Sequence, residues 1–319
     1  MRDILISVIC PSFNEEQYIE KILNFFVNSL PADKELFVVD GGSTDRTQDI
    51  VNEWSKKYSN ISLLHNPHKY VPFAFNIALK VAKGEYISIL GAHSEYSHDY
   101  FEKILETFIN VDADIVGGPT LTRSTSPMQL AVANCISSKF GTGNSKSHYE
   151  NFRGYTDSVT FGAYKKNVFE DVGVYDERLI RDQDDEFFYR AKSLGKKIYL
   201  NPEIKLWYYP RSTFKGLFKQ YFQYGLYKPL VLLKIKSEIK VRHLIPSFFT
   251  LYFLSTPIIF ILHLWVIPLI IYLLLNVAFS FRNKCGFRSK IISLFVYPTI
   301  HCAYGLGMIW GIISIRKRS

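Results

Sequence analysis

Residues 38–47 read VVDGGSTDRT, an apolar run that ends at Asp40, a glycine turn, and then Ser, Thr and Asp where a helix pattern begins. Ser, Thr and Asp are favoured at helix starts because their oxygens accept hydrogen bonds from the first turn. Capping would explain Ser43 and Asp45 but not Asp40. An acid at a strand end can accept hydrogen bonds from a base or ribose, and the helix start favours phosphate oxygens.

Residues 8–16, VICPSFNEE, show a similar pattern earlier in the chain. A strand pattern ends in a turn that Pro11 anchors, with Asn14 and Glu15 at its tip. An ordinary interpretation is an Asn cap followed by acids that a helix N-terminus favours. The two stretches together predict two strand ends that carry polar loops.

Strand and helix patterns alternate through the first part of the chain. We predict strands at 4–10, 36–40, 61–65 and 86–90, and helices at 15–28, 45–58, 72–82 and 100–109. Such alternation predicts an α/β fold with a mostly parallel, doubly wound sheet, whose ligands bind at the carboxyl ends of the strands. Regular elements return at 162–168, 184–193 and 197–200.

Residues 120–156 are rich in Ser, Thr, Asn and Gly. This composition fits a mobile segment over a site, and it fits an ordinary irregular connection equally well.

The C-terminal region has the composition of a membrane segment, since all 38 residues of 244–281 and all 25 of 291–315 lack Asp, Glu, Lys and Arg. One span needs about 20 residues, so we predict a hairpin of spans at 244–262 and 265–281, turning near His263, and a third span at 291–315. The basic loop 282–290 would then be cytoplasmic, and the basic tail 316–318 outside. A two-span alternative has one span and an interfacial helix in 244–281. It places the loop 282–290 outside and the tail 316–318 in the cytoplasm.

The net charge of +9 is concentrated beside the first apolar span, because residues 211–243 contain eight Lys and Arg against the single acid Glu238. A basic helix at 211–242 would lie along an anionic membrane surface on the cytoplasmic side, and nucleic acid is not expected as a partner. The N-terminus has no signal-peptide pattern, which predicts a cytoplasmic first half. The four cysteines have no metal-site or disulfide spacing and are expected to pack as small apolar residues.

Residues 8–16 and 38–47, in that order, resemble the motifs P-x-x-N-E and V-D-D/G-G-S-x-D-x-T of family 2 glycosyltransferases, and the resemblance covers residues 4 to about 230. It implies a GT-A-like domain at 1–230, followed by a membrane region at 231–319 with a basic interfacial helix and two or three transmembrane helices. It also implies a nucleoside diphosphate sugar donor, most simply UDP-linked. The donor-binding residues implied here are Pro11, Asn14, Glu15, Asp40, Gly41, Ser43 and Asp45.

The family's D-x-D motif corresponds to Gly91-Ala92-His93, so both aspartates are replaced. Gly91 and Ala92 remain implied donor contacts. His93 is the implied ligand of a divalent metal ion, Mn²⁺ or Mg²⁺, and imidazole suits Mn²⁺ better. The contact of the missing first Asp would fall to Asp40 or Glu95.

Residues 176–190, DERLIRDQDDEFFYR, resemble the family's E-D-x-x-(apolar)-x-x-R element, with Gln183 in the Glu place and Arg190 matching the Arg. The resemblance implies that Asp184 is the catalytic base that takes the proton of the acceptor hydroxyl, with Asp185 as the alternative. Residues 161–166 and 173–177 match acceptor-side stretches, which either shape a sugar platform or simply pack.

Residues 220–225, QYFQYG, stand where processive members have Q-x-x-R-W, and the missing Arg and Trp favour addition of a single sugar. The arrangement most resembles succinoglycan-type exopolysaccharide glucosyltransferases of this family. The resemblance implies an inverting, nonprocessive enzyme of the cell membrane that glycosylates a lipid-linked saccharide, within a polysaccharide assembly complex. Two alternatives stay open: transfer to a polyprenyl phosphate, and a catalytically degenerate scaffold.

Overall fold

Within the residues that the computed structural model describes, namely 5–142, 150–235, 241–259, 266–282 and 285–316, the chain forms two sheets and a set of C-terminal helices. It divides into two compact units. The sheet unit is Met1–Leu121 with Lys146–Tyr208, and the helical unit is Thr122–Ser145 with Tyr209–Ser319. The domain boundary near residue 230 stays a prediction.

The larger sheet has eight strands in the order β3-β2-β1-β4-β9-β6-β10-β8, and the smaller has the order β5-β11-β7. The strands are β1 (Ile6–Ser12), β2 (Lys34–Asp40), β3 (Ile61–His65), β4 (Tyr86–Ile89), β5 (Ser94–Tyr96), β6 (Ile115–Gly118), β7 (Thr120–Thr122), β8 (Gly154–Tyr155), β9 (Thr160–Lys165), β10 (Ile198–Leu200) and β11 (Leu206–Tyr208). Strands β1 to β4 pair in parallel, as do β6 and β10, whereas β9 runs antiparallel to β4 and β6. The predicted mostly parallel sheet is confirmed.

Helices of the sheet unit cover both faces of the larger sheet. The helices that the structure describes in the whole chain are α1 (Ile19–Asn28), α2 (Thr47–Lys57), α3 (Val71–Leu79), α4 (Tyr100–Asn110), α5 (Pro127–Ile136), α6 (Asn167–Val172), α7 (Gln183–Ser193), α8 (Phe214–Lys234), α9 (Val241–Ile259), α10 (Ile267–Arg282) and α11 (Phe287–Arg316). Successive side chains of a strand point to opposite faces, so Val8 and Cys10 pack with α1, α2 and α4, while Ile9 packs with α3, α6 and α7. The doubly wound arrangement is confirmed.

The start of α1 and the presence of α5 differ from the predictions, and the short strands β5, β7, β8 and β11 were not predicted. Helix α1 begins at Ile19 instead of residue 15, because the carbonyl of Glu15 accepts the N–H groups of Tyr18 and Ile19 in a turn before the helix. The segment 120–156, predicted to be irregular, contains α5. Ser126 caps this helix by accepting the Gln129 N–H, and proline suits its first position because no intrahelical hydrogen bond is lost there.

In the helical unit, α11 is the central helix and contacts α5, α8, α9 and α10. Its segment Phe287–Ile315 is long and apolar enough to cross a bilayer, while the apolar stretches Leu244–Ser255 and Ile267–Arg282 are shorter. The C-terminal membrane region is therefore supported, and the number of crossings stays a prediction. The predicted turn near His263, residues 283–284 of the basic loop and residues 317–318 of the tail lie outside the described residues.

Helix α8 packs alongside α11 at very short range. A Cβ atom on Gly225 would lie 2.0 Å from the carbonyl oxygen of Tyr304, and one on Gly307 would lie 2.1 Å from that of Phe222. Helix α8 corresponds to part of the basic helix predicted at 211–242, and one side of it packs against α11. Residues 236–240 lie outside the described residues, and the interfacial position stays a prediction. The cysteines are free thiols, and Cys10 and Cys135 are buried as expected of packing residues.

Candidate functional site

The carboxyl ends of β1, β2 and β4 lie side by side because these strands pair in parallel. Ser12 is in register with Asp40, and Ile9 is in register with Ile89. The Gly41 N–H donates to the Ser12 carbonyl at 2.9 Å, which joins the two strand ends. The predicted donor residues of the first two motifs therefore share one edge of the sheet with the segment that follows β4.

Side-chain hydrogen bonds join the β1–α1 loop to the β2–α2 loop. The Asn14 N–H donates to Ser43 Oγ at 2.8 Å, and Asn14 Oδ1 accepts the Thr44 N–H at 2.8 Å. Asn14 adopts a φ of 56°, a left-handed conformation that Asn tolerates better than most residues. Polar atoms of the predicted site thus hold the two loops in a fixed relation.

Asp45 continues this loop network and prepares the start of α2. Its carboxylate accepts the N–H groups of Glu16 at 3.2 Å and Thr47 at 3.0 Å, and also the Thr47 hydroxyl at 2.5 Å. Partial burial opposes ionisation, but the hydrogen bonds from Thr47 and Glu16 outweigh it and lower the pKa of Asp45.

Asp40 is buried and shapes its own turn. Its Oδ2 accepts the N–H groups of Gly42 at 2.9 Å and Ser43 at 2.8 Å, and Gln48 Nε2 at 2.7 Å, while Oδ1 accepts the Ser43 hydroxyl. Most of the acceptor positions of the Asp40 carboxylate are therefore occupied by hydrogen bonds from within the chain. Gln48 was not predicted, since nothing in its sequence position shows that its amide reaches back to a strand end.

The segment after β4 brings His93 to Glu15. His93 Nε2 lies 3.0 Å from Glu15 Oε1, and the Tyr18 ring meets the imidazole edge-on with 4.5 Å between centroids. The His93 side chain is 51% exposed, so its ring reaches solvent. Gly91 and Ala92 precede it, and the Gly91 N–H donates to the Tyr96 hydroxyl at 2.7 Å.

An imidazole nitrogen next to a carboxylate is a donor set that suits Mn²⁺. A group of three or more His, Cys, Asp and Glu side chains able to hold a metal does not occur in the described part of the chain. A cation that arrives with phosphate oxygens needs only one or two protein ligands. The residues present therefore fit a cation carried by a diphosphate, but not a cage made of protein ligands alone.

Asp184 and Asp185 lie exposed in the first turn of α7, after Asp182, which has a left-handed φ of 58°. Burial raises the pKa values of Tyr164 and Tyr175, and the nearby charge of Asp184 adds to both increases. Tyr164 and Tyr175 are 2% exposed, so these two aromatic residues of the acceptor-side stretches pack in the core.

Arg190, which matches the last residue of the third motif, holds the turn that precedes α7. It donates to both carboxylate oxygens of Glu186, at 2.8 and 2.9 Å, and to the carbonyls of Val172 at 2.5 Å and Val174 at 2.8 Å. The Glu186 side chain is only 6% exposed. Glu186 was not singled out from the sequence, although its i, i+4 spacing to Arg190 was a usable signal.

The sequence model described as glycosyl transferase family 2 matches residues 7–173. Over 318 residues the chain is 31% identical to a Methanococcus voltae enzyme, dolichyl N-acetyl-alpha-D-glucosaminyl phosphate 3-beta-D-2,3-diacetamido-2,3-dideoxy-beta-D-glucuronosyltransferase, with 97% of each chain covered. It is 30% identical over 242 residues to succinoglycan biosynthesis protein ExoA of Rhizobium meliloti, covering 75% of this chain and 73% of the relative.

Among solved structures, the mannosyltransferase PcManGT from Pyrobaculum calidifontis, in complex with GDP-Man and Mn²⁺, has a similar fold. The TM-score is 0.63 at 15% identity, with 97% of this chain and 87% of the other covered. The likeness includes the sheet unit and extends into the C-terminal helices.

Proposed function

The chain belongs to glycosyl transferase family 2, and from this premise we propose that it transfers one sugar from a nucleoside diphosphate sugar, UDP-linked, to a lipid-linked saccharide at the cytoplasmic membrane face. The transfer is an inverting, nonprocessive displacement. It serves the synthesis of a cell-surface polysaccharide or glycan.

The observation that carries this proposal is the meeting of three loops at one sheet edge, where Glu15 and His93 come within 3.0 Å of each other. Ligands of open α/β sheets bind outside the carboxyl ends of the strands. The network of Asn14, Ser43 and Asp45 keeps this edge in a fixed shape for the donor.

In the donor complex, Pro11, Asp40 and Gly41 border the nucleoside, and Gly91 and Ala92 border the diphosphate. His93 holds a divalent cation, Mn²⁺ in preference to Mg²⁺, because imidazole is the softer ligand. When bound, the cation neutralises charge on the departing diphosphate. The half-exposed His93 ring is open to such a ligand.

Asp184 acts as the general base from its exposed position in the first turn of α7. It takes the hydroxyl proton as the oxygen forms its bond to the anomeric carbon. The bond from that carbon to the diphosphate oxygen breaks, and the electron pair leaves with the diphosphate. Attack from the opposite face inverts the anomeric centre. Asp185 is the alternative base.

Support for the proposed acceptor comes from the Methanococcus voltae relative, which matches along the whole chain and whose name includes dolichyl N-acetyl-alpha-D-glucosaminyl phosphate. Similarity over 318 residues includes the C-terminal helices as well as the sheet. A membrane-associated helical unit suits an acceptor whose lipid stays in the bilayer. We extend this to three crossings, at α9, α10 and α11, with the sheet unit in the cytoplasm.

The test uses the full chain in detergent with lipid-linked saccharides as acceptors, and measures sugar transfer from UDP- and GDP-sugars. We expect transfer from a UDP-sugar and a loss of turnover of about 10²–10⁴-fold in Asp184→Asn, the range for a missing general base. Donor binding, measured separately, should be unchanged.

Asp171→Asn is the matched control, since Asp171 is a surface carboxylate paired with Lys196. Full turnover in Asp184→Asn with loss in Asp185→Asn would move the base to Asp185. Transfer to bare polyprenyl phosphate, or no transfer together with no nucleotide binding, would overturn the proposal.

A further inference from the structure

The missing first aspartate of the D-x-D motif leaves no empty space in the structure. A Cβ atom built on Gly91 would lie 2.6 Å from Cζ and 2.8 Å from Cε1 of Phe161. Carbon atoms in contact are normally about 3.5–4.0 Å apart. The Phe161 ring therefore occupies the volume that any side chain at position 91 would need.

Phe161 is held in this place by an unusual backbone conformation. Its φ is 46°, in the left-handed region that a bulky residue rarely adopts. Its carbonyl accepts the hydroxyl of the buried Tyr100 at 2.8 Å. The ring packs against both hydrophobic cores of the sheet unit. Such strain persists only where the surroundings over-determine it, so tertiary contacts hold the Phe161 backbone in this conformation.

Glu15 supplies a carboxylate close to the same place. The residue is 8% exposed, and its backbone N–H donates to Thr47 Oγ1 at 2.7 Å, which fixes it on the loop. Oε1 faces His93, while Oε2 is buried and has no hydrogen-bond partner among the described residues. An unpaired carboxylate oxygen in a buried position is costly unless a ligand satisfies it.

From these contacts we infer that Glu15 replaces the missing aspartate, and that Glu15 and His93 together hold the divalent cation of the donor diphosphate. The two ligands then come from two loops, Glu15 from the β1–α1 loop and His93 from the segment after β4. Phe161 occupies the space that the side chain of the first Asp of D-x-D would need. This inference rests on the proposed function, and it names a ligand that the motif does not contain.

The first experiment titrates Mn²⁺ into the full chain in detergent with UDP or GDP present, and follows free Mn²⁺ by electron paramagnetic resonance. Glu15→Gln and His93→Ala should each weaken Mn²⁺ binding about tenfold or more, at least what the loss of an outer-shell partner costs. Glu16→Gln is the matched control, because Glu16 is the exposed neighbouring acid whose carboxylate accepts the Arg46 N–H at 3.1 Å.

Unchanged Mn²⁺ affinity in Glu15→Gln, with a loss in His93→Ala, would show that Glu15 only pairs with the histidine and would overturn the inference. Nucleotide binding in EDTA is measured in parallel. If UDP and GDP fail to bind with or without Mn²⁺, the proposed function itself fails, which is a different result.

A second experiment tests the steric half of the inference. Gly91→Asp should lower the melting temperature, because the new side chain meets the Phe161 ring. Phe161→Gly suits the positive φ and removes the clash, so the double variant should lose less stability than the two single variants together. In a Glu15→Gln background, the double substitution should then restore Mn²⁺ binding. Gly91→Asp that is tolerated alone and strengthens Mn²⁺ binding would contradict the claim that Phe161 excludes this ligand.

Discussion

The sheet unit and the helical unit are organised by different kinds of contact. At the candidate site of the sheet unit, carboxylates and amides hold loops through directional hydrogen bonds, as Asp40 does with Gly42, Ser43 and Gln48. In the helical unit, helices approach until backbone meets backbone, as at Gly225 and Tyr304. A polar network can fix groups for chemistry, whereas close helix contact at glycines needs no hydrophobic driving force and suits a bilayer.

The two kinds of contact fail differently when one side chain changes. Loss of a partner in the sheet unit leaves a buried polar or charged group without compensation. Gain of an atom in the helical unit forces two helices apart. Substitutions of each type should therefore affect one unit and spare the function of the other.

The largest effect on stability is expected for Arg190→Ala. It would leave the buried Glu186 carboxylate unpaired and free the carbonyls of Val172 and Val174, which precede α7. Breaking a buried ion pair costs about 3–5 kcal/mol. Urea unfolding of the sheet unit, followed by circular dichroism, measures this.

Lys192→Ala on the same helix is the control, because Lys192 forms a surface pair with Asp157 that contributes at most about 1 kcal/mol. If both variants lose the same free energy of unfolding, the contacts of Arg190 stabilise the fold no more than the surface pair of Lys192 does.

An intermediate effect is expected for Gly225→Ala in the helical unit. The added methyl group would lie 2.0 Å from a backbone oxygen of α11, which cannot rotate away as a side chain would. Overpacking costs about 1–3 kcal/mol, so the melting temperature in detergent should fall while UDP binding by the folded protein is unchanged. Gly286→Ala is the control, since a Cβ there meets no atom within 4 Å. A neutral Gly225→Ala would mean that α8 and α11 are not in close contact.

Much of the sheet unit could be predicted from the sequence because strand and helix periods differ and strand ends carry polar residues. A shared edge for Asp40 and Asn14 follows from parallel pairing of the predicted strands, whereas His93 was implied by the family resemblance. The left-handed Phe161 could not be predicted, since a bulky residue at positive φ contradicts local preference and is held by tertiary contacts.

The candidate site was predicted less completely than the fold. Glu15 contacts His93 although the two residues lie on loops that are far apart in sequence. No sequence motif links the two positions, so this contact could not be predicted. The α5 helix, by contrast, had a readable start in Ser126 and Pro127 that the polar composition of its surroundings concealed. The overall composition of a segment does not reveal a helix start, because a helix N-cap depends on only one or two residues.

The smallest effect is expected for Asp45→Asn, and it should depend on pH. The folded pKa of Asp45 lies below its ordinary value because hydrogen bonds from Thr47 and Glu16 outweigh burial. Its charge therefore stabilises the folded state fully above the unfolded pKa of about 3.9, and this contribution is lost as pH falls through the folded pKa. The difference in melting temperature between wild type and variant should be present at pH 7 and shrink below about pH 4.

Exposed Asp49, also in the β2–α2 region, provides the control for this titration. Asp49→Asn removes the same charge without touching the loop network. Melting curves at pH 7, 5, 4 and 3 compare the two variants. If Asp45→Asn and Asp49→Asn follow the same pH dependence, net charge alone explains the effect. If only the Asp45→Asn difference disappears in acid, the loop network at the donor edge depends on that ionised carboxylate, in contrast to the glycine contacts of the helical unit, which carry no charge.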